Sequence, residues 1–341
     1  MNILIIKLSA IGDVVQTLPA LEAIKKTYPE SSVTWVVEAA SAGILEGHPL
    51  IDTLLVSRRK SWIGMLKRSA TFAHGIIAIN GFIRSLRSIK YDIAIDFQGL
   101  LKSGLLAGLA RADRKIGFDK TREYSSWFLN ERLPAYDAEK HALERYLDIA
   151  KYLGAREISS ACTLPIEKER VLVKQRLERL GLHQRPLIIL NPVARWETKL
   201  WPERKFAELA DRLVEEKRAS LIFTGSREDR EIISRITGMM KHPVQNWAGE
   251  TTLKELAALA AASDLFVSTD TGPMHIAAAV GAKVLALFGP TAPGRTGPYG
   301  ASNIVVRAGL NCSPCFKRKC GDSIRCMGTI TVEDVMRKIP F

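Results

Sequence analysis

No run of about 18 uninterrupted apolar residues occurs in the 341-residue chain, so the sequence offers no helix built to span a bilayer. The opening MNILIIKLSAIGDVV has neither the basic start, the long apolar middle nor the small-residue cleavage site of a secretory signal. It reads as a first strand entering a helix, and the expected location is the cytoplasm. Short internal repeats and low-complexity tracts are missing, which excludes a solenoid or a disordered array. So are a G-x-G-x-x-G fingerprint after the first strand of either half and a Walker P-loop; the dehydrogenase and ATPase readings fall with them. The last absence is local. Between Thr53 and Tyr91 there is no Asp or Glu, while Arg58, Arg59, Lys60, Lys67, Arg68, Arg84, Arg87 and Lys90 all lie in that stretch.

What is present is ordinary for a folded protein: 47% hydrophobic and 25% charged residues. The length exceeds what one core comfortably organises and suits two domains, each burying its own sheet. A formal charge of +13 calls for an anionic partner, whether nucleic acid, a phosphorylated substrate or an anionic membrane surface. No helix-turn-helix, zinc-finger or RNA-binding signature accompanies that charge, and the aromatic content of 7% is unremarkable. A basic nucleic-acid-binding protein is therefore kept only as an alternative, and the partners expected are small molecules and lipid acting on a monomer.

Short apolar, β-branched runs alternate with helical patterns: NILIIKL, VTWVVE and DIAIDF in the first half, PLIIL, ASLIFTG, DLFVST and KVLALFG in the second. This alternation predicts α/β architecture with parallel sheets covered by helices. Between residues 160 and 186 a polar linker, one charged helix and a Pro precede a fresh strand. The expected domains are 1–165 and 166–341, the last helix of the second packing back on the first. Ligands of open parallel sheets bind beyond the carboxyl ends of the strands, so the cleft between two such domains and the loops after the strands are where chemistry is expected.

The first of these loops is Ser9-Ala10-Ile11-Gly12-Asp13. Asp13 is either a carboxylate serving the helix start or a general base accepting a proton from an attacking hydroxyl. Late in the chain, a strand ends at Ser268-Thr269-Asp270 and a helix begins near Pro273, leaving Thr271 and Gly272 at a turn whose N–H groups suit a diphosphate. His275, four residues after Thr271, falls on the same side of the first turn. Asp270 is either a ligand or a capping carboxylate. After PLIIL, Arg195 and Lys199 stand where a cation offsets the charge of a departing nucleoside diphosphate, unless the loop is merely solvated and basic. After Gly225, Asp229 is either a helix-start acid or a partner for a ribose hydroxyl.

The segments ILIIKLSAIGDVVQTLPAL and STDTGPMHIAAAVGAKVLALFGPTAPGRTGPYG resemble the lipopolysaccharide heptosyltransferases, and the likeness runs along nearly the whole chain. It is nearest to the members that add the first heptose to a Kdo residue of lipid A. The resemblance implies two Rossmann-like domains facing across a cleft, the GT-B glycosyltransferase type, with acceptor on the N-terminal domain and donor on the C-terminal one. It further implies inverting transfer of heptose from ADP-L-glycero-D-manno-heptose without a catalytic metal. Asp13 becomes the base. Arg195, Lys199, Asp229, Asp270, Thr271, Gly272 and His275 become the donor set, Ala194-Arg195 standing where related sequences place a hydroxyl pair and Asp229 being shorter than a Glu. Arg58, Arg59, Lys60, Lys102, Arg122, His141 and Arg145 become a clamp for the phosphate and carboxylate of Kdo-lipid A, arginine's fork suiting both groups. The apolar, cationic stretch from Met65 to Lys90 then either rests on the anionic inner-membrane face, as a peripheral protein would, or is a plain surface helix. Enzymatic alternatives are transfer of a later heptose or another core sugar; a donor sensor without turnover is disfavoured by the presence of Asp13.

Four of the five cysteines fall at Cys312, Cys315, Cys320 and Cys326. That spacing admits a structural zinc, or free and reversibly oxidised thiols; stable disulfides do not suit a reducing compartment. Cys162 stands apart as a packed residue.

Overall fold

The computed structural model describes residues 1–121, 123–321 and 325–341, and it divides the chain into two compact units, Met1–Pro165 and Ile166–Phe341. The first unit contains strands β1 (Asn2–Ile6), β2 (Ser32–Glu38), β3 (Thr53–Ser57), β4 (Tyr91–Asp96), β5 (Ala112–Phe118) and β6 (Glu131–Leu133), all parallel in the order β3-β2-β1-β4-β5-β6. Its helices are α1 (Ile11–Thr27), α2 (Ala39–Ala42), α3 (Arg59–Leu66), α4 (Phe72–Arg87), α5 (Leu101–Leu109) and α6 (Ala142–Tyr152).

The central strands are continuous apolar runs because both faces of a parallel sheet are covered; Ile3, Leu4, Ile5 and Ile6 are all fully buried. The next helix follows from spacing: Val14, Leu18, Leu21 and Ile24 repeat at helical intervals and are fully buried, each contributing about 1.5–3 kcal/mol relative to exposure. Helix α6 packs against α1. Lys25 and Lys26 in the last turn of α1 complement its dipole. On α5, a Cβ at Gly104 would fall 2.8 Å from the Ser125 backbone, so only glycine lets that helix lie so close to the 125–128 turn.

The second unit repeats the winding. Strands β7 (Leu187–Asn191), β8 (Ser220–Phe223), β9 (Gln245–Asn246), β10 (Leu265–Thr269), β11 (Val284–Phe288) and β12 (Ile304–Arg307) form a parallel sheet in the order β12-β11-β10-β7-β8-β9. Counted from its own first strand this is the same 3-2-1-4-5-6 order as the first unit, the doubly wound Rossmann arrangement. Its helices are α7 (Glu167–Arg179), α8 (Glu203–Lys217), α9 (Arg230–Gly238), α10 (Leu253–Ala261), α11 (Gly272–Ala279), α12 (Pro293–Thr296), α13 (Arg325–Thr329) and α14 (Val332–Met336). The last helix lies against α8. Val332, Val335 and Met336 bury there in the same core as Phe206 and Leu213, and this apolar stripe explains the docking. Among the described residues no helix is long and apolar enough to cross a membrane.

Candidate active site

In a 3-2-1-4-5-6 sheet the winding reverses between the first and fourth strands, and the loops leaving their carboxyl ends part to form a crevice. In the first unit those loops follow β1 and β4. Leu8 and Ser9 donate their N–H groups to Gln98 Oε1 at 3.1 and 3.0 Å, joining the two loops. Asp13, half-buried in the first turn of α1, accepts from the Ala10 N–H at 3.1 Å through Oδ2. The helix-start role is thus real, and a second role sits on the other oxygen. Oδ1 accepts from the Tyr146 hydroxyl at 2.9 Å. That hydroxyl in turn accepts from Lys7 Nζ at 2.7 Å, and Lys7 also donates to the Phe97 carbonyl at 3.1 Å.

Lys7 is only 2% exposed. Burial lowers its pKa, while Asp13 and Asp96 pull it back up and Arg145 and Lys102 oppose them. The Tyr146 phenol is pushed well above its ordinary value by burial and by the Asp13 charge, so it stays protonated and able to donate. Burial likewise raises the Asp96 carboxyl, against the Gly99 N–H, the Ser103 hydroxyl and the Gln98 N–H.

The expected acceptor cations divide into groups. Lys102 donates to Ser9 Oγ and to Glu38 Oε1, both at 2.9 Å, and Arg59 reaches the same Glu38 oxygen at 3.5 Å. Burial pushes the Glu38 carboxyl up, but the hydrogen bond and charge of Lys102, with Arg59, outweigh it and leave the group below the ordinary value of 4.5. Arg58 and Lys60 are exposed beside Arg59 at the start of α3. Arg145 is half-buried with its guanidinium 4.7 Å from the Tyr136 ring centre. Among the described residues its buried Nε has no hydrogen-bond partner. His141 caps α6, its Nδ1 accepting from Leu143 N–H at 3.2 Å. Arg122 lies outside the described residues.

The second unit's crevice opens between β7 and β10. Lys199 Nζ pairs with Asp270 Oδ2 at 2.6 Å, and Thr291 Oγ1 donates to the same oxygen at 2.6 Å. The Thr269 hydroxyl donates to the Val193 carbonyl at 2.8 Å, tying the strand end to the lysine-bearing loop. Lys199 also lies 4.6 Å from the centre of the Trp196 ring, a cation–π distance. Thr271 is extended immediately before α11, Gly272 is the first helical residue, and His275 is half-buried in the first turn. Arg195 is exposed on the loop after β7. Asp229 Oδ2 accepts from the Ser226 N–H at 2.8 Å and hydroxyl at 2.7 Å, a local turn lock at the start of α9.

Cys312, Cys315 and Cys320 are exposed and Cys326 is half-buried. Burial raises the Cys326 thiol, with Cys315 and Cys312 adding to the rise. Among the described residues no group of three or more His, Cys, Asp or Glu side chains is placed to hold a metal. The loop is instead fastened to the crevice: Cys315 and Phe316 N–H groups bond the Pro290 carbonyl, Thr198 Oγ1 donates to the Lys317 carbonyl, and Arg318 lies over Trp196. Burial pushes the Cys162 thiol up to about 12.

Five residues that sequence reasoning passed over now belong to these crevices: Lys7, Glu38, Tyr146, Trp196 and Thr291. Lys7 and Glu38 carried a signal, because each ends an apolar strand pattern with a charge that has to find a partner when buried. Tyr146 gave none; only the packing of α6 on α1 brings it to Asp13.

Residues 79–323 match glycosyltransferase family 9 (heptosyltransferase). The chain is 31% identical over 326 residues to lipopolysaccharide heptosyltransferase 1 of Pseudomonas aeruginosa, covering 94% of this chain and 87% of that one. It is 28% identical to lipopolysaccharide heptosyltransferase 2 of Salmonella typhimurium, with 90% and 88% covered. Among solved structures it is similar to the Escherichia coli heptosyltransferase WaaC bound to ADP-2-deoxy-2-fluoro heptose, with 26% identity, a TM-score of 0.76 and 99% and 98% covered.

Proposed function

The chain belongs to glycosyltransferase family 9, and from that membership we propose that it moves heptose from ADP-heptose onto the Kdo residue of lipid A, the first heptose of the lipopolysaccharide inner core. The observation that carries the reading is Asp13 at the first unit's switch point, one carboxylate oxygen fixed by Tyr146, with Lys102, Arg59 and Arg145 in the same unit. In this reaction Asp13 takes the proton of the acceptor hydroxyl, the freed oxygen pair forms the new bond to the anomeric carbon, and the carbon–oxygen bond to the diphosphate breaks. ADP leaves with that electron pair, its charge met by Lys199 and the N–H groups at the start of α11. Attack opposite the leaving group inverts the anomeric centre. Arg145, whose Nε has no hydrogen-bond partner among the described residues, and Lys102 receive the anionic groups of the acceptor. Arg195, Thr271, Gly272 and His275 complete donor binding; Asp229, locked to Ser226, contributes shape. The cysteine loop holds the Trp196–Lys199 segment in place.

The test is ADP release from ADP-heptose with Kdo-bearing lipid A, run in EDTA, for the native chain, Asp13→Ala and Asp13→Asn. Native turnover, with both variants binding donor while losing roughly a hundredfold or more, is expected. Variants as active as the native chain would remove Asp13 from the chemistry. The likeness to heptosyltransferase 2 favours one second reading, transfer of the next heptose; turnover on a heptosylated acceptor but not on the Kdo one would select it.

We further propose that the protein works at an anionic membrane surface. Ile63 of α3 and Phe72, Ile76 and Ile77 of α4 are exposed, and Lys67, Arg68, Arg84 and Arg87 lie on or between the same helices, the mixture that settles at a lipid interface. Phe72→Asp with Ile77→Asp is expected to abolish sedimentation with anionic vesicles; unchanged sedimentation would refute the assignment.

A further inference from the structure

Behind Asp13 the first unit buries a lysine that the transfer reaction as written does not use. Lys7 leaves the carboxyl end of β1 and points under α6 rather than to solvent. Its ammonium touches three things: the Phe97 carbonyl, the Tyr146 hydroxyl and the face of the Tyr146 ring, 4.3 Å from its centre. A buried cation is costly unless its donors are used, and here one goes to the Phe97 carbonyl and another to the hydroxyl that bonds the Asp13 carboxylate. The phenol has one proton and one orientation open to it. Accepting from Lys7, it donates to Asp13 Oδ1. Phe97 meets the Tyr146 ring edge-on at 5.9 Å, which stops the ring from turning away.

We propose that Lys7 and Tyr146 are positioning residues for Asp13: the ammonium polarises the phenol, and the phenol fixes Oδ1 and favours the ionised carboxylate. Oδ2, which accepts the Ala10 N–H, is then the oxygen offered to the acceptor hydroxyl. A hydrogen bond given to a carboxylate and a cation behind it both stabilise the charged form. Among the described residues, the charged and titratable groups acting on Lys7 and Tyr146 are Asp13 on α1, Asp96 on β4, Lys102 on α5, and Arg145 with Tyr136. Asp96 supports the ammonium of Lys7, while Arg145 and Lys102 act on it in the opposite sense. None of these other groups changes in the variants below, so their contributions cancel in the comparison.

The inference rests on Asp13 being the base, and the experiment separates the two. Turnover would be followed from about pH 5 to 9 for the native chain, Tyr146→Phe, Lys7→Met and, as a control on the base itself, Asp13→Asn. Tyr146→Phe retains the ring and its packing and removes only the hydroxyl. Its kcat is expected to fall about tenfold, and its acidic limb to move up by about one pH unit, because the carboxylate loses its donor and binds its proton more readily. Donor KM stays within about twofold, the donor set lying in the other unit. Lys7→Met is expected to shift the same limb in the same direction. An acidic limb unchanged in Tyr146→Phe, with Asp13→Asn inactive, overturns the positioning role while leaving the base intact; full activity of Asp13→Asn overturns the base reading itself. Should Lys7→Met fail to fold, Tyr146→Phe alone decides.

Discussion

The two crevices are made by the same winding, yet they handle a lysine and an aspartate in opposite ways. In the first, Lys7 and Asp13 are held apart by a tyrosine hydroxyl. In the second, Lys199 and Asp270 meet directly at 2.6 Å, with Thr291 adding a second donor to the same oxygen. In the second crevice the lysine is thus held in place by a buried carboxylate. Asp13 Oδ1 meets the Tyr146 hydroxyl and not the Lys7 ammonium, so these two side chains form no direct ion pair. One topology therefore yields a carboxylate reached through a hydroxyl in one unit and a directly ion-paired lysine in the other, and the difference lies in what stands between the two side chains.

The sharpest way to break this contrast is Lys199→Met. Turnover is expected to fall about 10²–10³-fold, as for removal of one charge-stabilising donor. The buried Asp270, only 5% exposed, loses its counter-ion at a cost of about 3–5 kcal/mol, read as a lower thermal midpoint. Adding Asp270→Asn is expected to restore the midpoint but not the turnover; recovery of both would mean the pair serves folding alone. A smaller effect is expected for Thr291→Val, which removes a donor to a buried carboxylate worth about 1.5–3 kcal/mol. Donor KM is expected to rise several-fold with acceptor KM unchanged, and the reverse pattern would place Thr291 outside the donor crevice.

The smallest effect is expected in the first unit, from Glu38→Gln. The carboxylate holds Lys102 and Arg59 together, and releasing them is expected to change acceptor KM about threefold without touching donor KM. Because the native Glu38 carboxyl titrates below its ordinary value of 4.5, its stabilising contribution is complete above that pH and is lost as pH falls through the lowered value. Glu38→Gln is therefore expected to flatten the acid end of the stability curve measured by thermal denaturation. Identical curves for both proteins would show that the cluster adds nothing to the fold.

The legibility of the sequence follows the same physics. Seven strands stand out as uninterrupted apolar runs, and they are the contiguous middles of the two sheets: β2, β1 and β4 in one, β11, β10, β7 and β8 in the other. The five that do not stand out, β3, β5, β6, β9 and β12, all flank those middles. Strand β5 carries Asp113, Arg114 and Lys115 because a flanking strand need not be apolar on both faces, and β9 is two residues long. The site divides likewise. Asp13, Lys199 and Asp270 could be singled out because each follows the carboxyl end of a central strand, Asp13 in the first turn of the next helix and the other two in the connecting segments. Tyr146 is 133 residues from Asp13, and no local pattern announces such a contact. The local roles found for His141 and Asp229 have the opposite cause: a cap and a turn lock use the same residue types as a ligand site.

The boundary between Pro165 and Ile166 cuts the polypeptide once. Each unit is therefore encoded by one unbroken stretch of gene, with every strand of its sheet drawn from that stretch. A single recombination at this codon exchanges the whole half that carries Asp13 while leaving every residue of the other sheet in register. A change confined to residues 1–165 consequently leaves every strand of the second sheet untouched, and a change confined to residues 166–341 leaves the first sheet as it is.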